Sequence, residues 1–223
     1  MSAEVSAIPV AARLRITETF LSLQGEANTV GWPTFFIRLT GCPLRCQYCD
    51  TAYAFHGGEW RTVARLVDEA RESRARHVCV TGGEPLAQKP CPTLLTVLCE
   101  AGFEVSLETS GAIDASAVDP RVARVIDVKT PGSGESHRNL DLAVQALRAS
   151  DQLKFVICGR ADYEWSRERV ASERLAARCQ VLFSPSYHQL APGQLANWIL
   201  EDRLPVRFQV QLHKVLWGDV PGR

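Results

Sequence analysis

The pattern of apolar and polar residues predicts strands and helices that alternate along most of the chain. Residues 14–20 alternate between apolar and polar side chains, which is the period of a half-buried strand. Short apolar runs that end in polar or glycine-containing turns predict further strands at residues 35–39, 77–81, 104–109, 124–129, 152–157, 180–183 and 206–212. Helices are predicted at residues 62–74, 91–101, 140–149, 162–178 and 192–203.

This alternation is typical of an α/β protein whose sheet is largely parallel. Polar residues and glycines follow the carboxyl ends of the strands, which is where parallel α/β proteins bind their ligands. They include Cys42, Gly82, Thr109, Lys129 and Ser184. Six core strands are too few to close an eight-stranded barrel, so we expect an open sheet with a ligand site along that edge.

The length of 223 residues suits one domain, residues 1–223, with a hydrophobic core of its own. Residues 1–12 are small and are predicted to be a mobile end. Lysine plus arginine number 25 and aspartate plus glutamate number 25, so no net charge draws the protein to nucleic acid or to an anionic membrane. The sequence shows no signal peptide and no apolar run of the ~20 residues that a membrane helix needs, which predicts a cytoplasmic protein with reduced thiols.

Three cysteines with the spacing C-x3-C-x2-C follow the strand at 35–39, namely Cys42, Cys46 and Cys49. Thiolates suit iron–sulfur clusters and zinc, and three of them leave one coordination position without a protein ligand. On a cubane cluster, that open position can bind a substrate or a cosubstrate. The spacing alone leaves a zinc site open as well, with His56 as the fourth ligand. A protein that only carries electrons would normally close all four positions with its own side chains.

Three other features indicate a ligand at the same edge, although each also has a structural explanation. Arg38 interrupts an apolar strand, so its side chain must reach either solvent or a cleft that holds an anion. The turn Gly82-Gly83-Glu84-Pro85 lets the backbone approach a ligand closely and then opens a helix. The turn Leu23-Gln24-Gly25-Glu26 is either a plain strand connection or part of the site.

The cysteine spacing, the aromatic Tyr48 before the last cysteine and the downstream G-G-E-P turn resemble the radical S-adenosylmethionine (SAM) superfamily. The resemblance implies that Cys42, Cys46 and Cys49 hold a [4Fe-4S] cluster whose open iron binds SAM. Reduction of SAM there gives a 5′-deoxyadenosyl radical. The resemblance also implies an incomplete TIM-like barrel of about six parallel strands, with reduced helices and an N-terminal strand extension.

Motifs from residue 23 to residue 214 are similar to those of one family in that superfamily, the 7-carboxy-7-deazaguanine synthases. They are L-Q-G-E at 23–26, F-I-R-L-T-G-C at 36–42, C-D-T at 49–51, T-G-G-E-P at 81–85, E-T-S-G at 108–111 and Q-L-H-K at 211–214. The resemblance implies conversion of 6-carboxy-5,6,7,8-tetrahydropterin to 7-carboxy-7-deazaguanine with loss of ammonia, in 7-deazapurine and queuosine biosynthesis. It further implies Mg2+, a homodimer, and an electron donor such as flavodoxin or ferredoxin.

The same resemblance assigns roles to single residues, and none of them is a catalytic acid, base or nucleophile because SAM carries the chemistry. SAM would be contacted by Tyr48, Cys49, Asp50, Gly83, Glu84, Gly111, Lys129, Ser184 and Pro185. The pterin would be held by Leu23, Gln24, Gly25, Arg38 and Thr109. In that set Arg38 would meet the substrate carboxylate. Thr51 would bind Mg2+, although a threonine after a metal loop often only caps a turn.

The sequence leaves a second radical SAM function open, that of an activase which places a radical on a glycine of a partner protein. Such enzymes share C-x3-C-x2-C and a small size, but they have no need of the pterin-side residues Gln24, Arg38 and Thr109. The tail beyond Lys214 also has two interpretations. Residues 217–223 are either a flexible end or a segment in which Asp219 helps to close the pterin site.

Overall fold

Nine strands form one sheet in the structure, a computed structural model that describes residues 11–222. The strands are β1 (Arg13–Leu23), β2 (Pro33–Leu39), β3 (Glu59–Thr62), β4 (His77–Gly82), β5 (Glu104–Thr109), β6 (Ala123–Val128), β7 (Gln152–Ile157), β8 (Gln180–Pro185) and β9 (Arg207–Phe208). Their order across the sheet is β3-β1-β2-β4-β5-β6-β7-β8-β9. Because β3 and β9 lie at opposite edges, the sheet is open.

Helices connect the strands. They are α1 (Val63–Ser73), α2 (Cys91–Glu100), α3 (Asp141–Gln145), α4 (Arg160–Ser172), α5 (Pro192–Glu201) and α6 (Leu212–Trp217). Single 3-10 turns cover Ala52–Phe55, Pro85–Ala87, Pro131–Ser133, Ser136–Arg138 and Leu175–Ala177. None of the helices described in residues 11–222 is long and apolar enough to cross a membrane.

Strand directions confirm the predicted α/β class. Strands β2 and β4 to β9 are parallel, whereas β1 pairs antiparallel with both β2 and β3. The antiparallel β1 is the predicted N-terminal extension, and β2 with β4 to β8 are the predicted six core strands. The short strand β3 was not predicted from the sequence. All six core strands therefore present their carboxyl ends at the same edge of the sheet.

The prediction was wrong for the last strand and for the lengths of two helices. Helix α3 ends at Gln145 and helix α4 ends at Ser172, before the predicted ends at residues 149 and 178. Residues 206–212 were expected to form a strand, but only Arg207 and Phe208 pair with β8. The chain then turns toward the loop after β1, where Gln209 accepts a hydrogen bond from the Ala27 amide (2.8 Å) and the Leu212 amide donates to Gly25 (3.0 Å). These contacts with the loop after β1 replace the predicted strand pairing beyond Phe208. Helix α6 begins at Leu212.

Two clusters of buried apolar side chains form the core. One lies between α1, α2 and the strands β1, β2, β4 and β5, and the other lies between α4, α5 and the strands β6 to β8. Helix α1 buries the predicted face, Val63, Leu66, Val67 and Ala70. Thr62 caps its first turn by accepting from the Arg65 amide (3.2 Å). Of the predicted mobile end, residues 1–10 lie outside the described residues, and Ala12 packs against the first cluster.

Arg124 forms a buried ion pair with Asp151 at the far end of β6 from the cysteines. Its side chain is 2% exposed and that of Asp151 is fully buried. The guanidinium donates through Nε to Asp151 (3.0 Å) and through Nη2 to the same carboxylate and to the Ala146 carbonyl (2.8 Å). Ala146 follows the last residue of α3, Gln145, so Arg124 binds a carbonyl at the point where the predicted helix at 140–149 ends early.

We expect Asp151→Asn to destabilise the fold by about 3–5 kcal/mol, because it leaves the Arg124 charge buried without a counter-charge. Urea unfolding under anaerobic conditions, followed by circular dichroism, measures the loss as a lower midpoint. The control is Glu164→Gln, which breaks an exposed pair with Arg160 and should change stability by less than about 1 kcal/mol. Equal midpoints for the two variants would contradict the stabilising role of the pair.

Candidate active site

The carboxyl ends of the parallel strands surround a cavity of about 620 Å3. This volume is typical of a small-molecule site. Its walls include most of the residues predicted to bind ligands, namely Leu23, Gln24, Gly25, Arg38, Cys42, Cys46, Tyr48, Cys49, Asp50, Thr51, Gly83, Thr109 and Lys129. Residues assigned separately to the cluster, SAM, the pterin and Mg2+ therefore share one chamber.

The cysteine loop is held between two other loops. On one side, the Glu84 amide donates to the Gly41 carbonyl (2.9 Å), and a Cβ on Gly83 would lie 2.7 Å from the Cβ of Cys42. Only glycine fits at position 83, so the G-G-E-P turn packs directly on the start of the cysteine loop. On the other side, the Gln47 amide donates to the Ser133 carbonyl (3.0 Å). These contacts hold the three cysteines in the wall of the cavity.

The three thiols are half-buried and lie in a setting that disfavours their free thiolates. Burial raises the pKa of Cys42, Cys46 and Cys49, and it raises that of Cys46 to about 11 despite the nearby Lys129 ammonium. A soft metal compensates this effect because it binds the thiolate directly. The donor set therefore fits an iron–sulfur cluster, in which each cysteine binds a different iron.

The part of the chain that the structure describes shows no site for one zinc ion around these cysteines. Among residues 11–222, no group of three or more His, Cys, Asp or Glu side chains is arranged to hold a single metal ion. His56, the fourth ligand of the zinc alternative, is not part of the cavity wall. A cubane needs no such convergence on one point, because its cysteines bind at separate corners.

Arg38 faces the cavity rather than bulk solvent, with 15% of its side chain exposed. Its Nε donates to Glu18 (2.7 Å), and Glu18 also accepts from the Tyr53 hydroxyl (2.8 Å). The rings of Phe20 and Tyr53 lie 5.7 and 5.9 Å from the guanidinium carbon. Neither Nη group of Arg38 has an acceptor among the described residues, so both can bind an anionic ligand.

Thr51 lies at the end of the cysteine loop, beside Asp50. Its backbone carbonyl accepts from the Ala54 amide (2.9 Å), but its side chain caps no helix. The hydroxyl instead donates to the Asp50 carboxylate (2.7 Å), which pairs with Lys214 at 3.2 Å. Two hard oxygens thus face the cavity together, a donor type that Mg2+ accepts when water and substrate complete its shell.

Four predicted SAM contacts do not line the cavity, namely Glu84, Gly111, Ser184 and Pro185. Glu84 is fully buried and accepts from the Thr109 hydroxyl (2.9 Å), the Ser110 amide (2.7 Å), the Ser110 hydroxyl and the Leu86 amide (2.9 Å). This carboxylate joins the turn after β4 to the end of β5. The SAM roles of these four residues stay predictions.

A group of buried charges in the cavity wall was not predicted from the sequence. Lys154 on β7 pairs with Glu26 (2.6 Å) and lies 3.6 Å from Asp127, which also pairs with Lys129 (3.0 Å). Burial acts to lower the pKa of Lys154, but Glu26 and Asp127 outweigh it and hold the pKa well above its usual value. The sequence did contain a signal for this group. Lys154 interrupts the apolar run 152–157, just as Arg38 interrupts the apolar run 35–39.

The described part of the tail lies against the cavity. Asp219 accepts from Lys214 and lies 3.1 Å from His188 Nε2. Residues 219–222 form part of the cavity wall. The interpretation of residues 217–223 as a flexible end and the role of Asp219 in closing the pterin site both stay predictions.

Comparison with known proteins places this fold and site in a class of enzymes. The sequence model of the Radical SAM superfamily matches residues 36–170, more than half of the chain. The crystal structure of QueE from Escherichia coli has the same fold, with a TM-score of 0.76 and 24% identity over 96% of this chain and 100% of that one. The fold is thus the open barrel of a radical SAM enzyme.

Two curated relatives define the family more narrowly. The 7-carboxy-7-deazaguanine synthase of Chlorobaculum tepidum is 42% identical over 210 residues, which are 93% of this chain and 96% of the relative. That of Koribacter versatilis is 38% identical over 219 residues, 92% of this chain and 97% of the relative. The chain belongs to the family of 7-carboxy-7-deazaguanine synthases.

Proposed function

We propose that this enzyme converts 6-carboxy-5,6,7,8-tetrahydropterin to 7-carboxy-7-deazaguanine with loss of ammonia, as a step of queuosine biosynthesis. The observation that carries the proposal is the shared cavity, which joins the three-cysteine loop to Gln24, Arg38 and Thr109. An activase would need the first set of residues but not the second. The names of the curated relatives point to the same activity.

Cys42, Cys46 and Cys49 would hold the [4Fe-4S] cluster, and the chain would bind SAM along Tyr48, Asp50, Gly83 and Lys129. When bound, the cluster and SAM supply the one-electron chemistry that begins at carbon 6 of the pterin. The protein orients both molecules and keeps water from them. Predicted contacts from Glu84, Gly111, Ser184 and Pro185 belong to the same proposal, with Glu84 acting through Thr109 and Ser110.

The pterin would lie between the loop after β1 and the ends of β2 and β5. Leu23, Gln24, Gly25 and Thr109 would border its ring, and the two Nη groups of Arg38 would bind its carboxylate as a fork. Phe20 and Phe36 stack on each other with ring centres 4.9 Å apart and form an apolar part of the same wall. This arrangement separates the charged end of the substrate from its ring.

Thr51 would bind Mg2+, with the Asp50 carboxylate beside it and substrate oxygens on the open side. The chain would work as one radical SAM domain and as a homodimer, with electrons from flavodoxin or ferredoxin. We place it in the cytoplasm, because all eight cysteines are free thiols in the structure and such thiols persist in a reducing compartment.

Anaerobic reconstitution followed by product mass analysis tests the proposal. Reconstituted protein, SAM, a reductant and the tetrahydropterin should give a product with the mass of 7-carboxy-7-deazaguanine. Omission of Mg2+ should lower the rate by about 10-fold, the range in which metal-site perturbations act. SAM cleavage without any deazapurine would reject the proposed substrate, whereas a rate independent of Mg2+ would reject only the role of Thr51.

A further inference from the structure

We propose that Glu108 recognises the amino edge of the pterin ring and thereby selects a 2-amino-4-oxo substrate, an inference that rests on the proposed function. Glu108 lies near the carboxyl end of β5, next to Thr109, and its side chain lines the cavity. The bicyclic ring of a pterin carries two N–H donors on this edge, the 2-amino group and ring nitrogen 3. A carboxylate can accept both at once, as it does from arginine.

Among the described acidic side chains of the cavity, Glu108 differs because it has no cation within ion-pair distance. The others each lie in an ion pair: Glu26 with Lys154 (2.6 Å), Asp127 with Lys129 (3.0 Å), Asp50 with Lys214 (3.2 Å), and Asp219 with Lys214. Within residues 11–222, Glu108 forms no ion pair. Its carboxylate is therefore the one most available to a neutral donor edge.

The hydrogen bonds that Glu108 does accept are long. They come from Gln24 Nε2 (3.5 Å), Cys79 Sγ (3.7 Å) and the Thr81 hydroxyl (3.3 Å). Strong bonds to a carboxylate are about 2.7–2.9 Å, and a carboxylate offers about four lone-pair positions. Burial and the nearby Glu26 charge raise the pKa of Glu108. Two additional N–H donors would favour its charged form.

Gln24 completes a three-point pattern beside Glu108. Its Oε1 accepts from the Glu26 amide (3.2 Å), which turns Nε2 toward the Glu108 carboxylate. The cavity wall thus presents two acceptor oxygens followed by one donor. A 2-amino-4-oxopyrimidine ring presents the complement, the 2-amino group, ring nitrogen 3 and the 4-oxo oxygen. Both the substrate and the product carry this edge.

The position of Glu108 relative to Arg38 suits a ligand with charge at one end and donors at the other. Arg38 on β2 pairs in register with Thr81 on β4, and the Thr81 hydroxyl donates to Glu108 on β5. The two side chains are therefore two strands apart on one face of the sheet, at about 10 Å. A bicyclic ring with substituents at both ends can bridge that span.

The test compares two substrates in the reconstituted enzyme, the tetrahydropterin and an analogue whose 2-amino group is replaced by an oxo group. The wild type should favour the amino compound about 100-fold in kcat/KM, because the analogue leaves a carboxylate oxygen facing an oxygen. In Glu108→Gln the carboxamide can accept from ring nitrogen 3 and donate to the 2-oxo group. That variant should lose the preference or reverse it. Equilibrium binding of 7-carboxy-7-deazaguanine and its 2-oxo counterpart should show the same change without turnover.

Glu104→Gln is the matched control, because Glu104 starts the same strand and has 49% of its side chain exposed. It should keep the wild-type preference. If Glu108→Gln does not fold, Glu108→Asp is the variant to measure. It should bind the amino compound more weakly than the wild type does, but it should still prefer the amino compound to the 2-oxo analogue. Turnover of the tetrahydropterin with no preference in the wild type, or with an unchanged preference in Glu108→Gln, would overturn the role of Glu108 alone. No turnover of the tetrahydropterin by the wild type would overturn the proposed function and this inference together.

Discussion

Cys46→Ala should abolish product formation while leaving the fold intact. Cys46 lines the cavity and is half-buried, so its loss removes one of three cluster ligands without opening the hydrophobic core. Two remaining thiolates hold iron much less well than three, and a cluster that loses a corner ligand is readily lost. Iron and sulfide content after anaerobic reconstitution, together with the product yield, measures the effect.

Cys99→Ala provides the control for this prediction. Cys99 is also half-buried, but it lies in helix α2 and packs against the first core cluster. Its alanine variant should retain iron, sulfide and activity at the wild-type level. Full iron content and activity in Cys46→Ala would mean that the three-cysteine loop does not hold the reactive cluster.

Arg38→Met should weaken binding of the carboxylated pterin by about 100-fold, because two charge-assisted hydrogen bonds to the substrate carboxylate are lost. Tyr53 still donates to Glu18 in this variant, so Glu18 keeps one of its two partners. Arg38→Lys should recover part of the affinity, since it restores the charge but not the fork. Competition binding of 6-carboxy-5,6,7,8-tetrahydropterin measures both variants.

The same pterin without its carboxylate separates a specific contact from general damage. Arg38→Met should bind this analogue as well as the wild type does. Arg65→Met, which removes an exposed arginine of helix α1 (56% of its side chain exposed), should bind both compounds normally. Equal losses for the two pterins in Arg38→Met would show that Arg38 supports the site without meeting the carboxylate.

The sequence predicted those features whose signal is local. Strands β5 and β7 begin and end at the predicted residues, because short apolar runs there are bounded by turn-forming residues. The cysteine loop could be recognised for the same reason, since its three ligands lie within eight residues of one another. Arg38 was identified because a charge inside an apolar strand has few physical explanations.

Features that depend on long-range pairing could not be predicted. The hydrogen bonds of Glu84 join residues 25 and 26 positions apart, and the ion pair between Lys154 and Glu26 joins residues 128 positions apart. No local pattern specifies such partners. The motif that contains Glu84 predicted a SAM contact, which stays a prediction, but it could not predict the hydrogen bonds that Glu84 accepts from Thr109 and Ser110.

The end of the chain illustrates the same limit. Residues 206–212 have the alternation of a strand, but the bonds from Ala27 and to Gly25 direct this segment toward the predicted pterin side instead. Helix α6 then places Lys214 beside Asp50 and Asp219. Tertiary contacts, rather than propensity, decide this segment.

The central claim is that three cysteine sulfurs hold a cubane and leave one iron for SAM. The most direct test is the electron paramagnetic resonance spectrum of the reduced, reconstituted protein, recorded with and without SAM alongside iron and sulfide analysis. We expect about four irons and about four sulfides per chain, and a spectrum that changes when SAM is added. A spectrum that SAM leaves unchanged, or zinc in place of iron, would contradict the claim.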